Sequence, residues 1–311
     1  MSPARAAPAL VGVPEARGWA ALVPLLRELG DLKRIRSAGR QGSIATRLFH
    51  RGWSELVAGS DPGTVALATT AAALAAARLG DLDAGALAGL GMGEDEARRV
   101  LLAGFDDVAS AISEPLRSRL REQVGVRPAT RSAPPFVAAL SDQPRAGATC
   151  PGRSRVVLQP PENHAEHCLV VSIYGVLLAP MYGAEPSVVF LAAMSHHLHN
   201  AAMPDSGFTG EMLLGANLEG AVRHATELAL AELPPDLGAT VAGARAVLPN
   251  AETPEGRAFH AADVIDRVLE IDQHLAAARL TMAEVLGDMA LVHDGPVKPF
   301  HDRVLREAGL P

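Results

Sequence analysis

Val188-Val189-Phe190-Leu191-Ala192-Ala193-Met194-Ser195-His196-His197-Leu198-His199-Asn200 is the stretch on which the reading of this chain turns. From Val188 to Met194 no residue on any face is polar. A helix that is apolar all round is buried. This one ends on three histidines in four positions, His196, His197 and His199. Histidine is the commonest protein metal ligand, so imidazoles at the polar end of a buried helix point to a metal site in a helical core.

Composition agrees with a helical core. Of the 311 residues 48% are apolar and only 4% aromatic, and apolar runs rich in Ala and Leu alternate with Pro and Gly. The formal net charge of −7 argues against general nucleic-acid affinity. Residues 1–60 nevertheless carry nine Lys/Arg against four Asp/Glu, so the remainder is the more acidic part. Two cysteines, Cys150 and Cys168, make no disulfide framework and fit a reducing, cytoplasmic setting. The N-terminus lacks the continuous apolar segment of a signal peptide, and the most apolar runs (Val65–Ala77, Cys168–Ala179) are too short to span a bilayer. No membrane association is expected.

Apolar residues at three- and four-residue spacing predict helices over Glu15–Leu29, Ser43–Ala58, Gly63–Leu79 and Glu94–Gln123. Between Arg127 and Glu162 the helical period disappears and seven prolines occur, which reads as a linker or an ordered loop. Further helices are predicted from about Asn163 to Ala179, stopped by Pro180, and from Pro186, a favoured first-turn residue, through the histidine cluster. Others follow near Gly210–Leu233, Leu237–Val247 and Pro254–Leu280, and a last pair is broken by Gly295-Pro296. The expected fold is all-α, in three parts: an N-terminal helical region (1–126), a Pro-rich linker (127–161) and a helical domain (162–311).

Within that frame His167 lines up with Val171, Tyr174 and Leu178 and so faces a buried side. His196 and His197 stand about 100° apart on a helix and can share one cavity, while His199 is expected to point outward or to stand behind the ligands and Asn200 to cap the helix. Periodicity places Asp263 opposite the stripe Val264, Ile265, Val268, Leu269 and Leu275, together with Asp266, Arg267, Glu270 and His274, as a solvated surface acid. His293-Asp294 reads as a helix terminus and turn, and Gly89–Gly93 as a turn. Cys168 faces away from His167. Lys33, Arg34, Arg36 and Arg40 read as a solvated basic face, with phosphate contact as the alternative.

Three segments carry a resemblance. Glu162-Asn163-His164-Ala165-Glu166-His167, Met194-Ser195-His196-His197-Leu198-His199-Asn200-Ala201, and Thr253-Pro254-Glu255-Gly256-Arg257 followed by Ala262-Asp263 occur in this order. They resemble Glu-Ser/Asn-Val-Ala-Glu-His, Leu-Val-His-Asp-Leu-Ala-Glu-Ala and Thr-Pro-Glu-Ala-Arg with Ala-Asp-Lys, of the 5′-deoxynucleotidase-like branch of the HD superfamily of metal-dependent phosphohydrolases. The resemblance spans about residues 155–285. It implies an HD-type helical bundle in which one divalent cation (Mn, Co, Fe or Zn not distinguished) is held by His167, His196, His197 and Asp263. Against periodicity, it makes Asp263 a ligand. Such a set requires Asp263 within ~6 Å of His167 and His196, imidazole–metal bonds being ~2 Å long.

The same resemblance sets His197 where the family has the aspartate of its His-Asp pair, and Asn200 where it has a catalytic glutamate. Asp205 becomes the acid/base candidate, with a Pro-Asp-Ser-Gly turn as the alternative. Arg153 and Arg155, shortly before the first ligand helix, become the candidate phosphate-binding residues. The implied activity is hydrolysis of a nucleotide or another small phosphomonoester, in a chain compatible with a homodimer. Two rivals stand beside it. One is a diiron oxygenase of the same superfamily, drawing further ligands from His199, His224 or His260. The other is a non-catalytic domain that binds metal or nucleotide and regulates a partner.

Overall fold

A computed structural model describes residues 16–126, 131–275 and 281–311. Its centre is set by a local signal. The Asn163 side chain accepts from the Glu166 N–H while the Glu166 carboxylate accepts from the Asn163 N–H, a capping box that satisfies two otherwise orphaned donors. It starts α8 (His164–Tyr182) and places His167 one turn inside. The predicted stop at Pro180 does not occur. The helix carries Pro180 in its last turn and ends at Gly183, whose φ of 64° is the left-handed cap conformation.

Seven helices precede α8. They are α1 (Ala16–Gly30), α2 (Ile44–Val57), α3 (Pro62–Leu79), α4 (Ala84–Gly89), α5 (Glu94–Val108), α6 (Leu116–Glu122) and α7 (Pro135–Asp142). Six follow: α9 (Pro186–Ser195), α10 (Gly207–Leu214), α11 (Leu218–Leu230), α12 (Pro235–Ala244), α13 (Pro254–Leu275) and α14 (Lys298–Glu307). Among the described residues there is no strand, only two isolated bridges in the Pro-rich segment, Pro144 with Asn163 and Ala148 with Val156. The all-α expectation holds.

Two local expectations change. The predicted helix over 94–123 is two helices, because Pro115 lacks the N–H that a helix interior needs. The 131–161 segment, read as non-helical, contains α7, which begins on Pro135 at a first-turn position where the missing N–H costs nothing.

Helix α8 is buried along nearly its whole length and packs against α1, α2, α3, α7, α9 and α13. It is the one described helix long and apolar enough to cross a bilayer, and it lies inside the fold. One apolar cluster runs from Trp19 in α1 to Leu310 after α14. Gly175 permits the close approach of α8 and α9: a Cβ there would lie 2.5 Å from Val189 Cγ1. The ends of α8 and α9 that bear His167 and His196 meet beside Asp263, in the middle of α13.

Candidate metal centre

His167 is fully buried on α8. Its Nδ1 bonds the Asp266 Oδ2 at 2.8 Å, and its Nε2 lies 3.2 Å from the Asp263 Oδ1. His196 caps α9; its Nδ1 bonds the Ala193 carbonyl at 2.6 Å, leaving Nε2 4.0 Å from the same Asp263 oxygen. His197 bonds the Asn200 Oδ1 through Nδ1 at 2.9 Å. In all three rings Nδ1 is engaged by an oxygen acceptor, which leaves the Nε2 lone pair for a metal.

The sequence reading required Asp263 close to His167 and His196, and it is. The periodicity argument fails because the polar face of α13 is itself buried. Asp263 is 7% exposed, and Asp266 and Glu270 are buried beside it. Their partner is Lys33, whose Nζ stands 2.7 Å from Glu162, 2.6 Å from Asp266 and 3.3 Å from Glu270. Arg34 pairs with Glu270 at 2.7 Å. The expected solvated basic face at Lys33 is thus a correction: this lysine is 4% exposed and couples the N-terminal helices to the site. The following basic residues and the apolar Leu32 before it were visible in sequence, but nothing local said that three carboxylates waited for it more than 120 residues away.

Ring nitrogens of His167, His196 and His197 lie within 4.8 Å of one another. The buried His167 Nε2, His196 Nε2 and Asp263 Oδ1 have no hydrogen-bond partner. Buried polar atoms are rarely left so, and lone pairs converging on one point fit a divalent cation. Electrostatics agree. Burial and Arg145 push His167 down, but the nearby carboxylates of Asp263, Asp266 and Glu162 outweigh them and raise it to about 9. The carboxylates therefore favour a cation at His167, and a metal ion competes with a proton for that place. Burial and neighbouring imidazoles hold His196 and His197 well below the usual histidine value, neutral and able to ligate. Burial would raise Asp263, yet Arg267 and His167 keep it well below the carboxylate range. The Cys168 Sγ approaches His196 Nδ1 at 3.7 Å, but burial pushes its thiol up to about 12, so it stays neutral.

His197 and Asn200 open onto a cleft of about 210 Å³ whose walls include Arg145, Asp205, Phe208, Arg267 and His293. Arg267 donates to Asp263 Oδ2 at 2.9 Å, and Arg145 to Glu162 Oε2 at 3.3 Å. These two arginines, not Arg153 and Arg155, are the cations on the cleft wall. Arg155 is turned to the carbonyls of Ala146 and Ser206, and Arg153 faces Asp288 at the surface. Arg153 and Arg155 lie between the partners of the Ala148–Val156 bridge and do not line this cleft.

Asp205 sits where the turn reading put it and also faces the cleft. It lines the cleft and also makes the turn, accepting from the Gly207 N–H at 2.9 Å and the Ala146 N–H at 2.8 Å. Burial opposes its charge, but His164 at 3.5 Å and those two N–H groups hold it below its ordinary value. His164, which no sequence argument singled out, is fully buried with both ring nitrogens unpartnered, and its ring lies 4.7 Å from that of His197. His199 is half-buried beside the His197 ring, with an unpartnered Nδ1. His224 is exposed on α11, and His260 faces Phe259 and His301. His293 stacks on Phe208 at 3.8 Å, as part of the cleft wall rather than of the metal centre. No protein-family model, curated protein or solved structure matches the chain.

Proposed function

We propose that the chain is a metal-dependent phosphohydrolase acting on a nucleotide or another small phosphomonoester. The observation that carries this reading is the convergence of three buried, unpartnered donor atoms, His167 Nε2, His196 Nε2 and Asp263 Oδ1, behind a cleft that bears Arg145 and Arg267. His167, His196, His197 and Asp263 would hold the ion, which when bound supplies Lewis-acid polarisation of a phosphoryl oxygen and acidifies water.

The chain's own residues do the rest. Arg267 is pinned by Asp263 and presents its remaining N–H groups to an anion, and Arg145 supplies a second positive charge on the cleft wall. Planar guanidinium groups suit phosphate because they donate in pairs. Asp205, kept ionised by two backbone N–H groups, orients a water or a departing hydroxyl better than it carries a proton. Asn200 has no basic atom and takes no proton. A cytoplasmic location fits this chemistry and the two unpaired cysteines.

The test is metal content of the purified full-length chain, followed by phosphate release from nucleoside monophosphates with added Mn²⁺ or Co²⁺. The expected result is about one ion per chain, phosphate release that depends on it, and loss of both in His196→Ala. A second reading, oxidation at a two-iron centre, is favoured by the unpartnered nitrogens of His164 and His199. Two irons per chain without phosphate release would establish it in place of the first. Absence of metal and of activity, unchanged by His196→Ala, would leave only the non-catalytic reading.

A further inference from the structure

We infer that Asn200 is a positioning residue that makes His197 a metal ligand by fixing its tautomer. The inference rests on the metal centre proposed above and concerns how this chain builds it with an imidazole in place of a carboxylate. A carboxylate presents a lone pair whichever way it is turned. A neutral imidazole has one acceptor nitrogen, and which one it is depends on the bond made by the other. For His197 that bond is to Asn200 Oδ1, at 2.9 Å.

The Asn200 carboxamide is held in turn. Its Nδ2 donates to the Met203 carbonyl at 3.2 Å, so the oxygen, not the NH₂ group, faces the ring. Asn200 is 6% exposed, in a short helical turn (Leu198–Ala201) that packs against α7 and α11. An oxygen fixed at Nδ1 puts the proton there and leaves Nε2 free for the ion. His167 and His196 obtain the same tautomer from Asp266 and from the Ala193 carbonyl. Asn200 is the only one of these three supports supplied by the residue three places after its own histidine and by an amide. The substitutions at 197 and 200, which depart from the family pattern separately in sequence, thus form one unit in the fold: the imidazole needs an acceptor oxygen at Nδ1, and the residue at 200 supplies it.

The experiment is Co²⁺ binding to the full chain, followed by the visible absorption of the bound ion and by titration, in wild type, Asn200→Leu and Asn200→Asp. Groups that orient ligating histidines are worth 10–100-fold in metal affinity. Asn200→Leu is therefore expected to weaken Co²⁺ binding by about 10–100-fold and to alter the absorption spectrum. Asn200→Asp, which keeps an acceptor oxygen at Nδ1, restores affinity and spectrum. The metal-free melting temperature of each variant separates loss of the ligand from loss of the fold, and Asn200→Ser serves if Asn200→Leu does not fold.

A double-mutant cycle sharpens the outcome. In a His197→Asp background the residue at 200 has no imidazole to orient, so Asn200→Leu should no longer weaken binding. Equal Co²⁺ affinity and spectrum in wild type and a folded Asn200→Leu would overturn the inference and leave the metal centre standing. An equal loss in the His197→Asp background would also overturn it, since the role would then be structural. A wild-type chain that binds no Co²⁺ would overturn the metal centre and this inference together.

Discussion

The α8–α9 pair and helix α13 are both buried through their middle turns, for opposite reasons. Helices α8 and α9 are buried because their faces are apolar: Val170, Ile173, Leu178, Val189, Phe190 and their neighbours exclude water wherever they sit. The polar face of α13 is buried because Asp266 and Glu270 surround Lys33 together with Glu162, and Asp263 meets His167 and Arg267. The first kind of burial is written into each residue. The second exists only when particular partners arrive, since removing charge from water is costly unless it is paired. The site forms along the line where the two kinds meet.

The most severe way to break the comparison is Lys33→Met, which keeps a long side chain and removes the ammonium. Asp266 would lose its lysine, and Glu162 and Glu270 would keep only Arg145 and Arg34. Breaking a buried ion pair on one side costs about 3–5 kcal/mol, and urea denaturation at neutral pH should show a loss of that size. A loss below ~1 kcal/mol, the size found for exposed pairs, would show that the polar face of α13 is hydrated and that the contrast with α8 and α9 is unreal.

The apolar side is broken by crowding. In Gly175→Ala the new methyl group meets Val189 Cγ1 at 2.5 Å and must push α8 from α9. Overpacking of this kind costs about 1–3 kcal/mol. The same movement separates His167 from His196, so Co²⁺ affinity should fall along with stability. Unchanged stability and affinity would mean that the helix pair yields without disturbing the histidines.

A control marks the boundary of apolar burial. Leu213 on α10 is 84% exposed, and α10 has no buried residue. Leu213→Ser should change stability by no more than ~0.5 kcal/mol, as surface substitutions do. A larger loss in denaturant would assign Leu213 a packing role that its exposure denies.

Much of the fold was legible in sequence because helical period and caps are local. The predicted helices over 43–58 and 63–79 match α2 and α3 within a residue, and Asn163 with Glu166 marks the start of α8. The predicted helix over 210–233 breaks at Gly215 and the one through the histidines stops at Ser195; other misplaced boundaries lie at Pro115, Pro135 and Pro180. Proline forbids a bond at one position without saying whether the helix breaks there, begins there or tolerates it in a final turn.

The site divides in the same way. His167, His196 and His197 announce themselves as imidazoles on or beside apolar helices. Asp263 was hidden from periodicity, since a stripe of Asp263, Asp266, Glu270 and His274 looks the same whether water or Lys33 covers it. His164 and Arg145 gave no signal at all, because neither lies on a recognisable stripe.

By itself, then, the sequence determined that the chain is helical, that α8 and α9 are interior helices, and that histidines stand at their meeting ends. Local backbone preference and the aversion of apolar side chains to water require no knowledge of distant residues. Only the tertiary structure decided that Lys33 neutralises carboxylates from α13 and the start of α8, that Arg145 and Arg267 line the cleft, and that Asn200 turns His197 toward the other imidazoles. Each of these depends on the position of one polar atom relative to another to within an ångström or so, over which hydrogen bonds and ion pairs gain or lose their worth.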